Sequence, residues 1–292
     1  MSVSGPTCQS CFAFLASLPH PVSFVGRSVL RWVRSCSGYA LIGAREGLVT
    51  KTTAVRLGKD VWRIPTMPGD LVNSFAFTQD DGSVTLVDCG LRFGASRRIR
   101  AGLGAMGRDV ADVQRIVLTH AHSDHAGSAA ALVAATEASG VMLHDDDADY
   151  ARRGQSPPRD PDFSGPSWLA PIGQRLTTFP PVTVADTFAD ADVLPVAGGL
   201  LVVHTPGHTD GHVSLLHASS GVLITGDAIW NMRRRITWPV LAFCTNAALT
   251  QQTADVLGDL EYTTAAFTHG PQIGVSARET VRRFLRTAQR VR

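Results

Sequence analysis

The segment Leu118-Thr119-His120-Ala121-His122-Ser123-Asp124-His125 places three histidines and an aspartate within six residues. The chain has only ten histidines among 292 residues, so this is heavy clustering. Imidazole and carboxylate are the ligand types that suit zinc and similar divalent ions. His120 and His122 are two apart, so on extended backbone their side chains point the same way. Asp124 and His125 follow as the chain turns, and can reach a neighbouring position. One short loop can thus supply two adjacent metal ions. A surface histidine cluster, or fortuitous core residues, would explain a single histidine better than it explains this run.

Ligands of this kind need a rigid support. Arg115–Thr119 is an apolar run that predicts a strand ending at the motif, so the loop presents its side chains from an anchored edge. Further strands are expected at Ala54–Leu57, Val61–Ile64, Asn73–Phe77 and Ser83–Val87, with Asp81-Gly82 as a hairpin turn. Val141–Leu143, Val182–Val184, Leu200–Val203, Val213–Leu216, Val222–Thr225 and Ala265–Thr268 read as strands too. Helices are expected over 95–106, 128–137, 247–260 and 276–289. Residues 152–166, rich in Pro, Gly and charge, read as a loop or insertion. Two halves of strands followed by strand–helix units predict an α/β protein. Its architecture would be a four-layer αβ/βα sandwich, with two sheets face to face and helices outside.

His120-Ala121-His122-Ser123-Asp124-His125 resembles the signature of the metallo-β-lactamase superfamily. Thr205-Pro206-Gly207-His208-Thr209-Asp210-Gly211-His212 resembles that family's next motif. Thr225-Gly226-Asp227 and Thr268-His269-Gly270 resemble its last two, and Leu86-Val87-Asp88-Cys89-Gly90 the strand before them. The motifs occur in the family's order, and the likeness spans about residues 54–290. It implies the metallo-β-lactamase sandwich fold and two metal ions, zinc first, with iron or manganese as alternatives. By this resemblance His120, His122 and His208 hold one ion, and Asp124, His125 and His269 the other. Asp227 bridges them. A metal-bound hydroxide would then attack an acyl or phosphoryl centre. Asp124 and His212 are the residues expected to assist catalysis. Asp124 would orient the nucleophile or accept its proton, and His212 would support the ligand loop through hydrogen bonds. Asp88 is expected behind the ligands and His204 beside the His208 loop, whereas His144 and His217 read as structural.

The fold alone does not set the substrate. The segment after His269 is too short for the helical glutathione-binding extension of the glyoxalase II branch. The span from His208 to His269 is too short for an inserted nucleic-acid clamp. What the resemblance leaves is a general hydrolase acting on an ester, thioester or lactone. Trp230, Met232, Trp238 and Phe243 could line an acyl pocket or simply pack their own loop. Residues 150–178, with Trp168 and Leu169, could add a second wall. Two alternatives stay open: a mononuclear iron dioxygenase of the same fold acting on a persulfide, and a non-catalytic metal-binding module.

The remaining composition narrows the class. Apolar residues make up 44% and charged residues 18%, ordinary for a chain that buries a core. A net charge of +2 lacks the basic stripe of a nucleic-acid binder. Arg233-Arg234-Arg235 is a local cluster, read as a solvated loop or as an anion-contacting one near the site. Five cysteines at low density imply no disulfide framework and point to a reducing cytoplasm. Cys8 and Cys11 lack the second pair a zinc ribbon needs. No run of about 18 apolar residues predicts a membrane span. Residues 1–50 read as a poorly ordered extension, with a translation start downstream of Met1 as one account of it. The domain proper is then 51–292. The expected partner is a small-molecule substrate, with no nucleic acid and no membrane, and a homodimer is left open.

Overall fold

Alternating apolar residues build the first sheet. In the computed structural model, which describes residues 54–161 and 177–291, four strands form an antiparallel meander. These are Val55–Gly58 (β1), Val61–Pro65 (β2), Asn73–Thr78 (β3) and Val84–Val87 (β4). Val113–Val117 (β5), Val141–His144 (β6) and Val184–Phe188 (β7) extend the sheet in parallel. Parallel neighbours need crossovers. Ala95–Ala105 (α1) supplies the first, Ser123–Ala126 (α2) and Ala129–Val133 (α3) the second, and Asp145–Arg153 (α4) the third.

The second sheet contains Val193–Leu194 (β8), Leu200–His204 (β9), Val213–His217 (β10) and Val222–Ile224 (β11). A small hairpin follows, Trp230–Met232 (β12) with Arg235–Thr237 (β13), and then Ala247–Thr253 (α5). Thr264–Ala266 (β14) joins the second sheet beside β11, and Ala277–Thr287 (α6) closes the domain. The sheet order is β14-β11-β10-β9-β8.

Side-chain alternation fixes the layers. Val61 pairs with Phe77 and Arg63 with Phe75 across β2 and β3, so these four share a face. The Phe77 ring meets the edge of His217 on β10 at 5.2 Å, so that face looks toward the second sheet. The opposite face carries Ile64 against α1, where Gly102 permits an approach that a Cβ would block. On β10, Leu215 joins the large inter-sheet core. Its neighbour Leu216 packs outward with Leu257, Val281 and Leu285 of the covering helical segments. Helix, sheet, sheet, helix is therefore the observed layering, as the sequence led one to expect.

Several elements differ from expectation. Helix α4 lies in a stretch for which the sequence predicts no helix. Three aspartates in its first turn and two arginines in its last complement the helix dipole, which its charge-rich composition concealed. The helix expected over 128–137 is only Ala129–Val133, followed by turns. The one over 247–260 changes to a 3-10 turn after Thr253. Arg233 and Arg234 form the two-residue turn of the β12/β13 hairpin. The expectations for residues 1–50, with Cys8, Cys11, Cys36 and His20, and for Trp168 and Leu169, lie outside the described residues. Among the described residues no helix is long and apolar enough to cross a membrane.

Arg233 and Arg234 have φ of 54° and 62°, the positive values that both central positions of a type I′ turn require. Left-handed backbone costs a non-glycine residue roughly 1–2 kcal/mol. Exchanging the pair for Asn-Gly is therefore expected to stabilise the protein by about 1 kcal/mol or more. Denaturant unfolding would show it as a higher midpoint with unchanged slope.

Candidate metal centre

Strand ends deliver the side chains. β5 and the Leu118-Thr119 extension carry the chain to His120, and His122 sits immediately before α2, which holds Asp124 and His125. His208 lies in the turn between β9 and β10. Asp227 follows β11, and His269 follows β14. The parallel pairing of β11 with β14 brings these last two side by side. All seven residues expected to hold metal meet at one edge of the sandwich.

Two clusters result. Nδ1 of His122 lies 3.1 Å from Nε2 of His120 and 2.9 Å from Nε2 of His208. In the second cluster, Nε2 of His269 lies 3.4 Å from Oδ2 of Asp124, and Nε2 of His125 lies 3.8 Å from Oδ1 of Asp124. Asp227 touches both. Its Oδ2 is 3.2 Å from Nε2 of His208 and 3.3 Å from Nε2 of His269, and its Oδ1 is 3.6 Å from Nε2 of His125. His120, His125, His208, Asp227 and His269 are essentially buried, while Asp124 keeps 27% of its side chain exposed. His122 and Ser123 are partly exposed as well, so the opening to solvent lies along His122–Asp124.

The donor set fits divalent cations. The Nε2 atoms of His125 and His269 are buried with no hydrogen-bond partner. Such atoms are costly unless something binds them. Burial and neighbouring imidazoles push His120 and His122 well below the usual histidine range, leaving their nitrogen lone pairs free. Burial also works against charge on His208 and His269. Cys244 and Asp227 nevertheless hold His208 up to about 10, and Asp227 and Asp124 hold His269 up to about 9.

Four of these residues are held from behind, as metal-binding histidines generally are. Nδ1 of His125 meets Oδ2 of Asp88 at 2.9 Å, and Asp88 also accepts from the Thr119 amide at 2.8 Å. Nδ1 of His269 donates to the Leu71 carbonyl at 2.6 Å. Nδ1 of His208 meets the buried Cys244 thiol at 3.4 Å. Thr268 donates to Oδ1 of Asp227 at 2.6 Å. His212 accepts from the Asp227 amide at 2.7 Å and donates from Nδ1 to the Thr205 carbonyl at 2.9 Å. Both its ring nitrogens are thus committed to backbone, and burial lowers its pKa to about 3. Its contacts place it behind Asp227, tying the Asp227 amide to the Thr205 carbonyl.

Other residues fall elsewhere. His217 bonds Ser220 and the Ala197 carbonyl, away from the clusters. Trp230 packs against His269 with centroids 4.4 Å apart and ring planes tilted by 41°, but Trp238 packs on Phe284 of α6 and donates to the Gln289 carbonyl. Trp238 therefore belongs to the loop's own packing.

Sequence reasoning missed Asp147. It is fully buried in α4, although Asp145 and Asp146 beside it are exposed. Its carboxylate accepts from the Ala121 amide at 2.7 Å, the Thr209 hydroxyl at 2.8 Å and the Gly211 amide at 2.9 Å. One side chain thereby joins the loop of His120 and His122 to the loop of His208. Burial raises its pKa to about 6 against those three hydrogen bonds. Three consecutive aspartates at a helix start look like a solvated face, and only the tertiary contacts single out the third.

Fold, ordered motifs and paired clusters define a metal-binding sandwich, and the chain belongs to the metallo-beta-lactamase superfamily, whose family model matches residues 67–269. YobT of Bacillus subtilis is 30% identical over 225 residues, covering 72% of this chain and 88% of that protein. The probable metallo-hydrolase YybB of the same organism is 27% identical over 197 residues, covering 68% and 80%. Among solved structures, a metallo-beta-lactamase family protein of Thermus thermophilus superposes with a TM-score of 0.58 at 25% identity, covering 79% of this chain and 78% of that one.

Asp147→Asn would turn an amide donor toward donors. Metal affinity is expected to fall about 10–100-fold with the circular dichroism spectrum unchanged, the range seen when such supports are lost. Because the pKa values of His208 and His269 are raised, protons compete with metal and the competition grows as pH falls. Apparent affinity should drop at least roughly tenfold per pH unit below 9, as read by chelator competition.

Proposed function

We propose that the protein is a binuclear metal-dependent hydrolase, with zinc as the working ion, that cleaves an ester, thioester or lactone. The observation that carries this reading is Asp227, whose two carboxylate oxygens reach imidazoles of both clusters at 3.2–3.6 Å. A carboxylate so placed suits two ions sharing one ligand. His120, His122 and His208 would hold the first ion, and Asp124, His125 and His269 the second.

Bound in this way, the ions would supply Lewis acidity toward a carbonyl oxygen and lower the pKa of water. Asp124 is the more exposed of the two site carboxylates. It would orient the attacking water and take its proton, because an ionised carboxylate only accepts hydrogen bonds. Burial by itself would raise Asp124, but His125 and His269 hold it well below the usual carboxylate range, so it is ionised at neutral pH. Trp230 keeps the His269 ring oriented and dry. The names given to YybB and to YflN of Bacillus subtilis, probable metallo-hydrolases, support the reaction class. A small-molecule substrate and a cytoplasmic location belong to the same reading, which leaves room for a homodimer.

Elemental analysis of the purified protein is expected to find two zinc ions per chain, together with turnover of at least one member of an ester, thioester and lactone panel. Asp227→Ala should abolish turnover and release metal while the protein stays folded. Full turnover with two ions in that variant would sink the site assignment. His217→Ala, distant from both clusters, should leave metal content unchanged.

A further inference from the structure

The loop between β2 and β3 carries the carbonyl that stands behind His269. The Thr66 amide and hydroxyl both donate to the Val72 carbonyl, at 2.9 and 3.0 Å, and close the loop at its neck. Within the loop, the Leu71 carbonyl lies 2.6 Å from Nδ1 of His269. A carbonyl only accepts, so Nδ1 carries the hydrogen. Nε2 of the same ring faces Asp124 and Asp227, 3.4 and 3.3 Å away. The loop backbone is left-handed at two successive residues, Gly69 and Asp70, with φ of 69° and 58°. Aspartate adopts that conformation at a cost, so something must hold it there.

Arg63 on β2 supplies the hold. Its side chain is 5% exposed and reaches three acceptors. Nη1 lies 2.8 Å from Oδ1 of Asp70 and 2.8 Å from Oδ1 of Asn73, and Nε donates to Oε1 of Gln272 at 3.0 Å. Asp70 belongs to the loop, Asn73 begins β3, and Gln272 follows His269 closely in the chain. The Asp70 carbonyl also accepts from the Gly270 amide at 2.7 Å. One guanidinium therefore fixes both segments that meet at His269, the loop that carries Leu71 and the turn that carries the ring. A charge so buried is costly unless paired, and Asp70 is its one carboxylate among the described residues. His208 leans on other supports: Cys244 and Asp147 hold its ring and its loop and share no partner with Arg63 or Asp70.

We propose that the Arg63–Asp70 ion pair is the positioning device for the second ion, the one assigned to Asp124, His125 and His269. The pair holds the Leu71 carbonyl against Nδ1 of His269 and so aims Nε2 at the centre. Neither residue touches the donor atoms, so both act through His269. The proposal rests on the binuclear reading above and adds to it that this remote pair sets the affinity of one ion and not of the other. His120, His122 and His208 do not depend on the β2–β3 loop, so their ion is insensitive to the pair.

The test is a calorimetric titration of the metal-free full-length protein with zinc, for wild type, Asp70→Asn and Arg63→Lys. Asparagine tolerates the left-handed φ at position 70, so that variant removes the charge and keeps the backbone. Lysine keeps the charge at position 63 but lacks the planar fork that serves three acceptors. Each variant is expected to bind one of its two ions about 10–100-fold more weakly and the other as wild type does. Unchanged affinities, or two affinities that fall together with the thermal midpoint, would mark a merely structural role and overturn the proposal. A second readout needs no metal. The exchange-protected Nδ1–H resonance of His269 in the 15N-labelled metal-free protein should shift or vanish in both variants, and its persistence unchanged would also overturn the proposal. If wild type binds fewer than two ions, the binuclear reading fails, and this resonance still decides whether the pair positions His269. Should Arg63→Lys not fold, Asp70→Asn, whose side chain is 31% exposed, decides alone.

Discussion

Five imidazoles and two carboxylates crowd one small volume at the edge of a dry sandwich, and the rest of the molecule is arranged around that crowding. Without cations, nitrogen atoms 2.9–3.1 Å apart and carboxylates shared among several histidines would be costly neighbours. Divalent ions convert the same crowding into a set of ligands. What the fold must supply is the rigidity that keeps these side chains together while the site stays open to water along His122–Asp124.

Backbone and buried polar groups provide that rigidity together. Asp88 has a φ of 59° and ties the end of β4 to Thr119 and His125. Gly226, with a φ of 52°, lets the chain pass so close to the His212 ring that any Cβ there would collide with it. Arg63 and Asn73 secure the far side: Arg63 donates to Asn73 at 2.8 Å, and Asn73 donates to the carbonyls of Phe267 and Gly270 at 3.0 and 2.8 Å. This network joins the first sheet to the turn holding His269. Asp147 does the same between the loops of His122 and His208. Positions remote from the ions can therefore alter metal affinity through geometry alone.

Much of this was legible in the residues. The H-x-H-x-D-H run declares itself by density, and the alternating strands predict both sheets to within a few residues. Other features were hidden for identifiable reasons. Helix α4 is so charged that its pattern suggests solvent, yet the charges sit where the helix dipole favours them. The β12/β13 hairpin turns on two arginines, which lack the Asn-Gly composition that normally marks such a turn. His212 reads as a support for the ligand loop, but only the tertiary structure shows which groups it holds, the Asp227 amide and the Thr205 carbonyl.

The sequence by itself determined which side chains could bind metal, because ligand chemistry belongs to residue type and close spacing is local. It also determined the layers, because a period of two or of about 3.6 records which face is buried. Tertiary structure alone decided which residues meet. Asp227 and His269 become neighbours through one parallel strand pairing, and His144 stacks on His204 across two sheets. It also decided that Asp147, chemically the same as Asp145 and Asp146, is the one that holds the loops. Burial and distance are properties of the packed chain, and no local run of residues encodes them.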